Sequence, residues 1–186
     1  MTGRESVIVA DFYRTYIAEA GDDSLMKALR LSTKAFRQCL GELSDKKVDW
    51  TYDEGKWTIR EILQHIIDTE RVFSFRALWF ARNEASPLPG FDQDSWAAKT
   101  NTRARSWDDL LKEFTSLRKS NELFFASLSK EELLREGVAN GNPLNVVGIG
   151  FICAGHLMHH LNIIEEKYLS SKKKSAKAKS SKKSGS

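Results

Sequence analysis

The 186-residue chain, 41% apolar and 29% charged, is long enough for one domain with its own core and too short for two comfortable ones. Its net charge of +4 misleads: residues 170–186 carry seven lysines and no acid, and removing those seven leaves −3 for residues 1–169. Two distant cysteines, Cys39 and Cys153, exclude a disulfide framework and fit a reducing compartment. The opening MTGRESVIVADFYR lacks a signal-peptide core, and the apolar run from Val146 to Met158 is short for a bilayer and broken by glycines and a histidine, so the expectation is a cytoplasmic protein.

In chain order, residues 5–20 read as a short leading helix carried by Phe12, Tyr16 and Ile17. The first long helix spans about Ser24 to Leu43, with Leu25, Leu29, Phe36, Leu40 and Leu43 on one stripe. The second follows Trp57 and reaches about Arg82. Thr58 and Glu61 make a capping box at its start, and its buried face includes Ile59, Ile62, Leu63, Ile66, Phe73 and Phe80. Ser86-Pro87-Leu88-Pro89-Gly90 stops it and opens a long crossover through Arg105, which lets a third helix run alongside without an immediate antiparallel turn.

The third helix spans Ser106 to about Leu128. Ser129 with Glu132 caps a short helix, Asn140-Gly141-Asn142-Pro143 is a turn, and the fourth helix reaches about Leu169. No segment alternates strongly enough to read as a strand. The expected fold is all-α: a four-helix bundle over residues 1–169, with 170–186 as a disordered Lys/Ser-rich tail. Without aromatics between its lysines the tail offers no base stacking. It reads as a solubilising end whose affinity for nucleic acid is weak and electrostatic.

On the fourth helix Ile149, Cys153, His156, His160 and Ile164 share a stripe, which turns both histidines inward. Buried imidazoles need partners, and one metal ion satisfies two at once. His65, on the second helix at the edge of its apolar face, can reach across. Three protein ligands with positions left open is the pattern of a catalytic metal. The competing reading is a set of core histidines satisfied by hydrogen bonds. Leu157 occupies the place where a protease-type zinc helix carries glutamate. His159 flanks the pair, and Cys153 reads as a small buried hydrophobe or a soft fourth ligand.

Glu70 and Arg118 each interrupt an apolar stripe, with Asn121 near the second. They are expected to pair inside the bundle. Their role is either to fix helix register or to act in catalysis, Glu70 as a base or metal neighbour and Arg118 as an anchor for an anionic substrate. Asp68, one turn after His65, can orient an imidazole or face water. Gly148, Gly150 and Gly155 each cost about 1 kcal/mol in a helix, which close helix approach or space for a ligand would explain.

The stretches GKWTIREILQHIIDTERVFSFRALWFAR, PLPGFDQDSW and AGHLMHHLNIIEEKYL resemble the DinB/YfiT-like superfamily of metal-binding four-helix proteins, over roughly residues 10–169. The resemblance implies an up-up-down-down type of bundle with a long crossover. It implies a divalent metal held by His65, His156 and His160. It also implies either a thiol S-transferase or a hydrolase acting on a small molecule, with a low-molecular-weight thiol as one partner of the former. A non-catalytic metal or small-molecule binding module in stress response is the alternative. Three imidazoles suit Zn, Ni, Fe or Cu alike. Relatives often pair, so a homodimer is open, with Trp79, Phe80 and Trp96 able to cover an interface.

Overall fold

The computed structural model describes residues 2–41 and 43–170; residues 171–186, which hold all seven tail lysines, lie outside the described residues. Its helices are α1 (Arg14–Glu19), α2 (Leu25–Gly41), α3 (Asp45–Val48), α4 (Ile59–Ala81), α5 (Gln93–Lys99), α6 (Trp107–Ser127), α7 (Lys130–Leu134) and α8 (Val146–Ile163), the last continued by a wider π-helical turn, Ile164–Leu169. Four of them, α2, α4, α6 and α8, make the bundle. Both capping boxes form: Thr58 accepts from the Glu61 amide and Ser129 from the Glu132 amide, with each glutamate reaching back. Ser106 caps α6 in the same way through the Asp109 amide.

The expected absence of strands is corrected. Glu136–Ala139 (β1) and Asn142–Asn145 (β2) pair as an antiparallel hairpin, with Ala139 opposite Asn142. The two-residue loop Asn140-Gly141 has φ of 52° and 72°, the left-handed pair that a tight hairpin needs and that Asn-Gly supplies at low cost. Leu88, in the crossover, bonds to the hairpin edge through Val138 O (2.9 Å) and the Asn140 amide (3.0 Å). The crossover is therefore tied down, and it also carries α5, whose first amides are capped by Asp92.

Helix direction follows from two apolar clusters at opposite ends of the bundle. One holds Leu25 and Leu29 of α2, Phe73 and Phe80 of α4, Phe125 of α6, and Ile149 and Ile152 of α8. The other holds Phe36 and Leu40 of α2, Ile62 and Ile66 of α4, Leu110 and Phe114 of α6, and Leu157 and Leu161 of α8. Thus α2 and α8 run one way, and α4 and α6 the other. The order is up-down-down-up, not the expected up-up-down-down. The long crossover joins the parallel pair α4 and α6, while the two other connections join antiparallel helices. In cross-section α8 packs on α2 and α4, and α6 packs on the same two.

A polar layer separates the two clusters. Arg118, 1% exposed, donates to both Glu70 oxygens (3.2 and 3.1 Å). It also donates to Thr33 Oγ1 (2.8 Å), Leu29 O (2.8 Å), Ser32 Oγ (3.0 Å) and Cys153 O (3.3 Å). Asn121 donates to Glu70 Oε1 at 2.8 Å. One guanidinium thereby joins all four bundle helices.

Helix α8 with its final turn, 24 residues, is long and apolar enough to cross a membrane, because the helix continues well past Met158. Its apolar surface is mostly covered by α2, α4 and the leading segment. The glycines of α8 mark close approach. A Cβ on Gly155 would stand 1.7 Å from Tyr16 O, and one on Gly148 would stand 2.8 Å from Ile8 O. Asn145 caps α8 through the Gly148 amide (2.9 Å) and also binds the leading segment at Ile8 N (3.1 Å) and Ser6 O (2.7 Å).

Removing one member of the buried pair strands the other charge. Glu70→Ala is expected to lower unfolding free energy by about 3–5 kcal/mol, read by urea denaturation, while leaving the helical circular dichroism of the folded fraction intact.

Candidate metal centre

His65 points inward from α4, one turn after the Glu61 cap, in the apolar stretch Ile62–Ile67. His156 and His160 point inward from α8 one turn apart. The three side chains are 6%, 6% and 9% exposed, so the site is almost closed to bulk water. His156 Nε2 lies 3.1 Å from His65 Nε2 and 3.0 Å from His160 Nε2. The three donor nitrogens all fall within 4.8 Å of one another.

That spacing bears on the two readings of the histidines. An imidazole nitrogen has either one N–H or one in-plane lone pair, so it makes one good hydrogen bond. His156 Nε2 faces two neighbours and cannot satisfy both. Among the described residues none of the three Nε2 atoms has any other protein partner. Nitrogens about 2.9–3.4 Å apart are what one ion with bonds of about 2.0–2.1 Å gathers around itself. The donor set therefore fits a divalent cation and fits a purely hydrogen-bonded core poorly.

Electrostatics agree. Burial pulls the His65 imidazole down to about 4 and His160 to about 3, and pushes His156 well below its usual range, with mutual repulsion between the rings adding to the last two. All three are neutral at pH 7, and neutral imidazole is the ligand form. His65 Nδ1 lies a long 3.4 Å from Thr69 Oγ1, while His160 Nδ1 is buried with no partner among the described residues. Trp57 lies against His65 (4.9 Å between rings) and Tyr16 meets His156 edge-on (5.3 Å), fixing the ring planes.

The other residues singled out from sequence fall around this centre. His159 turns aside, to Glu19 Oε1 at 3.5 Å and to Tyr16. Cys153 belongs to the apolar cluster on the far side of the polar layer, its thiol pushed up by burial, and it is not part of the ligand group. Asp68 accepts from Gln64 Nε2 (2.9 Å), not from an imidazole, and burial raises its carboxyl. Glu70 and Arg118 are engaged with one another and with the helices, and none of their bonds goes to the three imidazoles.

Three spaces border the triad. A cavity of about 400 Å³ opens beside His156, lined by Tyr13, Tyr16, Thr69, Arg76, Phe91 and Asn140 among others. One of about 320 Å³ lies beside His160, with Tyr52, Trp57, Asp94 and Tyr168. A cleft barely one water wide, about 10 Å³, runs between His65, Asp68 and Trp96. Sequence reasoning missed Arg76, Tyr13 and Asn140. Arg76 falls on the stripe of Phe73, Ala77 and Phe80, the same signal that exposed Glu70 and Arg118.

Comparison with known proteins matches the sequence profile of the DinB superfamily to residues 28–164. The chain belongs to the DinB superfamily. Among similar proteins, one of Oceanobacillus iheyensis is 32% identical over 78 residues, 41% of this chain and 44% of that protein. One of Geobacillus thermodenitrificans is 22% identical over 72% of this chain and 76% of its own length. Both are named, provisionally, metal-dependent hydrolases. The chain thus spans under half the length of the first of these relatives and about three quarters of the second. The fold is similar to that of YfiT from Bacillus subtilis, described in the same provisional terms and as having an unusual four-helix bundle topology. That similarity has a TM-score of 0.68 at 17% identity, over 76% of this chain and 82% of that one.

The neutral triad predicts a pH effect on the metal-free protein. Unfolded, each histidine takes up a proton near 6.5, whereas folded His65 does so only near 4 and His160 near 3. Between those limits the unfolded chain binds more protons, so stability is full above about pH 6.5 and falls as pH drops toward 4 and 3. Urea midpoints of the chelated protein across that range should decline, and the decline should shrink in His65→Phe.

Proposed function

We propose that this protein is a metal-dependent hydrolase of small molecules, with His65, His156 and His160 as the ligands of one divalent ion. The observation that carries the reading is the convergence of three buried, neutral Nε2 atoms, one of which faces both others at 3.0–3.1 Å with no alternative protein partner. A divalent ion held by three imidazoles keeps coordination positions open and supplies Lewis-acid activation of water at neutral pH.

The chain's own residues do the rest. Burial keeps the imidazoles unprotonated and so able to donate their lone pairs. Trp57 and Tyr16 hold the ring planes, and Thr69 Oγ1 lies beside His65 Nδ1, on the side of the ring away from the other two imidazoles. A cavity of about 400 Å³ beside His156 suits a small organic substrate and restricts bulk water around it. Asp68, its carboxyl raised by burial and bordering the His65 cleft, is placed to hold or pass a proton at that rim. Glu70 and Arg118 we assign to architecture, since Arg118, on α6, is already bonded to the other three bundle helices.

A second reading has its own observation. Two separate cavities flank the triad, one beside His156 and one beside His160, which gives room for two reactants. A thiol S-transferase would use the same ligands with a thiolate in place of water.

Elemental analysis of the purified protein should find about one Zn, Ni or Fe per chain, reduced at least tenfold in His156→Ala. Chelation should abolish hydrolysis of 4-nitrophenyl esters, and restoring the metal should recover it. Metal without turnover on any ester, or on electrophile plus thiol, identifies a binding module instead. Turnover only with added thiol identifies the transferase.

A further inference from the structure

Three arginines are buried among the described residues: Arg60, Arg76 and Arg118. Two have carboxylate partners, Asp49 for Arg60 and Glu70 for Arg118. Arg76, only 2% exposed, makes no ion pair among the described residues. Its Nη2 donates to Pro89 O at 2.8 Å, and the Tyr13 hydroxyl lies against it. Its guanidinium carbon stands 5.7 Å from the centre of the Phe73 ring and 5.8 Å from that of Phe91. Those contacts engage one donor with Pro89 O, one with the neutral Tyr13 hydroxyl, and the two ring faces. Ring faces weakly offset a cation's loss of water, and a single carbonyl does not neutralise it. A buried guanidinium without a counter-charge is costly, yet it stays protonated in proteins.

Arg76 also borders the cavity of about 400 Å³ that His156 lines as well. The cavity's remaining polar lining, Tyr13, Tyr16, Thr69, Gln93 and Asn140, is uncharged. A pocket with one buried cation, no acid and neutral donors around it is complementary to an anion. Phe73 and Phe91 beside the guanidinium leave a slot for an apolar body next to that anion.

We propose that Arg76 binds an oxyanion, carboxylate or phosphoryl, on the substrate, so that the substrate class is a small organic anion held with its reacting end toward His156. The inference rests on the proposed function only in taking this cavity as the substrate's. Arg76 supplies binding and orientation, and the specificity for charge resides in it.

The test is equilibrium binding to the full-length protein with its metal as purified, using benzoate, phenylphosphonate and the neutral isostere benzamide. Wild-type protein should bind either anion roughly tenfold to a hundredfold more tightly than benzamide, the range for a charge-assisted pair. Arg76→Gln should bring the anions to the level of benzamide, and Arg76→Lys should recover part of the preference. Metal content is measured in each variant. A preference that survives in Arg76→Gln at unchanged metal content belongs to the ion and overturns the proposal. So does equal binding of benzoate and benzamide to wild type. Because Arg76 also holds Pro89, Arg76→Gln can fail to fold. The second measurement is therefore the Arg76 side-chain Nε–H resonance of wild type, which should shift with benzoate and not with benzamide. A resonance unmoved by saturating benzoate overturns the proposal. Turnover plays no part in these readouts, so failure of the hydrolase reading and failure of the anion anchor show up separately.

Discussion

The bundle depends on one buried ion pair. Arg118 reaches Leu29 O, Ser32 and Thr33 on α2, Glu70 on α4 and Cys153 O on α8, from its own position on α6. Apolar side chains slide past one another at little cost, but six directed donor contacts do not. The pair fixes the register of the four helices at the level where the two apolar clusters part. Register there matters to the site, because His65 sits about one turn before Glu70 on α4, and His156 sits one turn after Cys153 on α8. A slip of one turn on either helix would break the guanidinium's contacts and separate the imidazoles together.

Around that level the fold divides its labour. The antiparallel pairs are joined by local connections, whereas α4 and α6 run parallel and need the chain of residues 82–106 to return along the bundle. This return is not idle length. Leu88 adds to the hairpin edge, Pro89 takes a bond from Arg76, and Phe91, Gln93 and Trp96 line the spaces next to His65 and His156. At its far end Arg105 holds Gln64 (2.8 Å) and pairs with Glu113, while Arg60 pairs with Asp49 and holds Arg105 O. The three converging imidazoles come from the long helices, and much of the cavity wall comes from the crossover and the leading segment.

Much of this was legible in the chain, for identifiable reasons. Thr58 with Glu61 marks a helix start because the cap is a local, reciprocal bond. Glu70 and Arg118 betray their pairing because each interrupts an apolar stripe, where a lone charge would be untenable. His156 and His160 share a face by spacing alone. The hairpin escaped because its strands have four residues each and one contains Pro143, too short and too irregular to alternate; only Asn140-Gly141 announced it. Helix α5 escaped because seven residues inside a connection leave little periodic signal. Helix direction is set by which connections close locally, and apolar spacing does not report it. Arg76 interrupts its stripe as Glu70 does, but it was overlooked because an arginine on a helix can also extend to solvent; the packing shows that this one is buried.

The backbone of Tyr16 presses against Gly155 so closely that a methyl group would not fit, and the same segment sends Tyr13 and Tyr16 into the space next to His156. Those residues precede the stretch that the superfamily profile covers, which begins at residue 28. One face of the cavity beside His156 is thus a panel contributed from outside the stretch that the superfamily profile matches, laid over helices that lie within it. Changing that panel alone would reshape what enters, without disturbing the imidazoles or the helices that carry them.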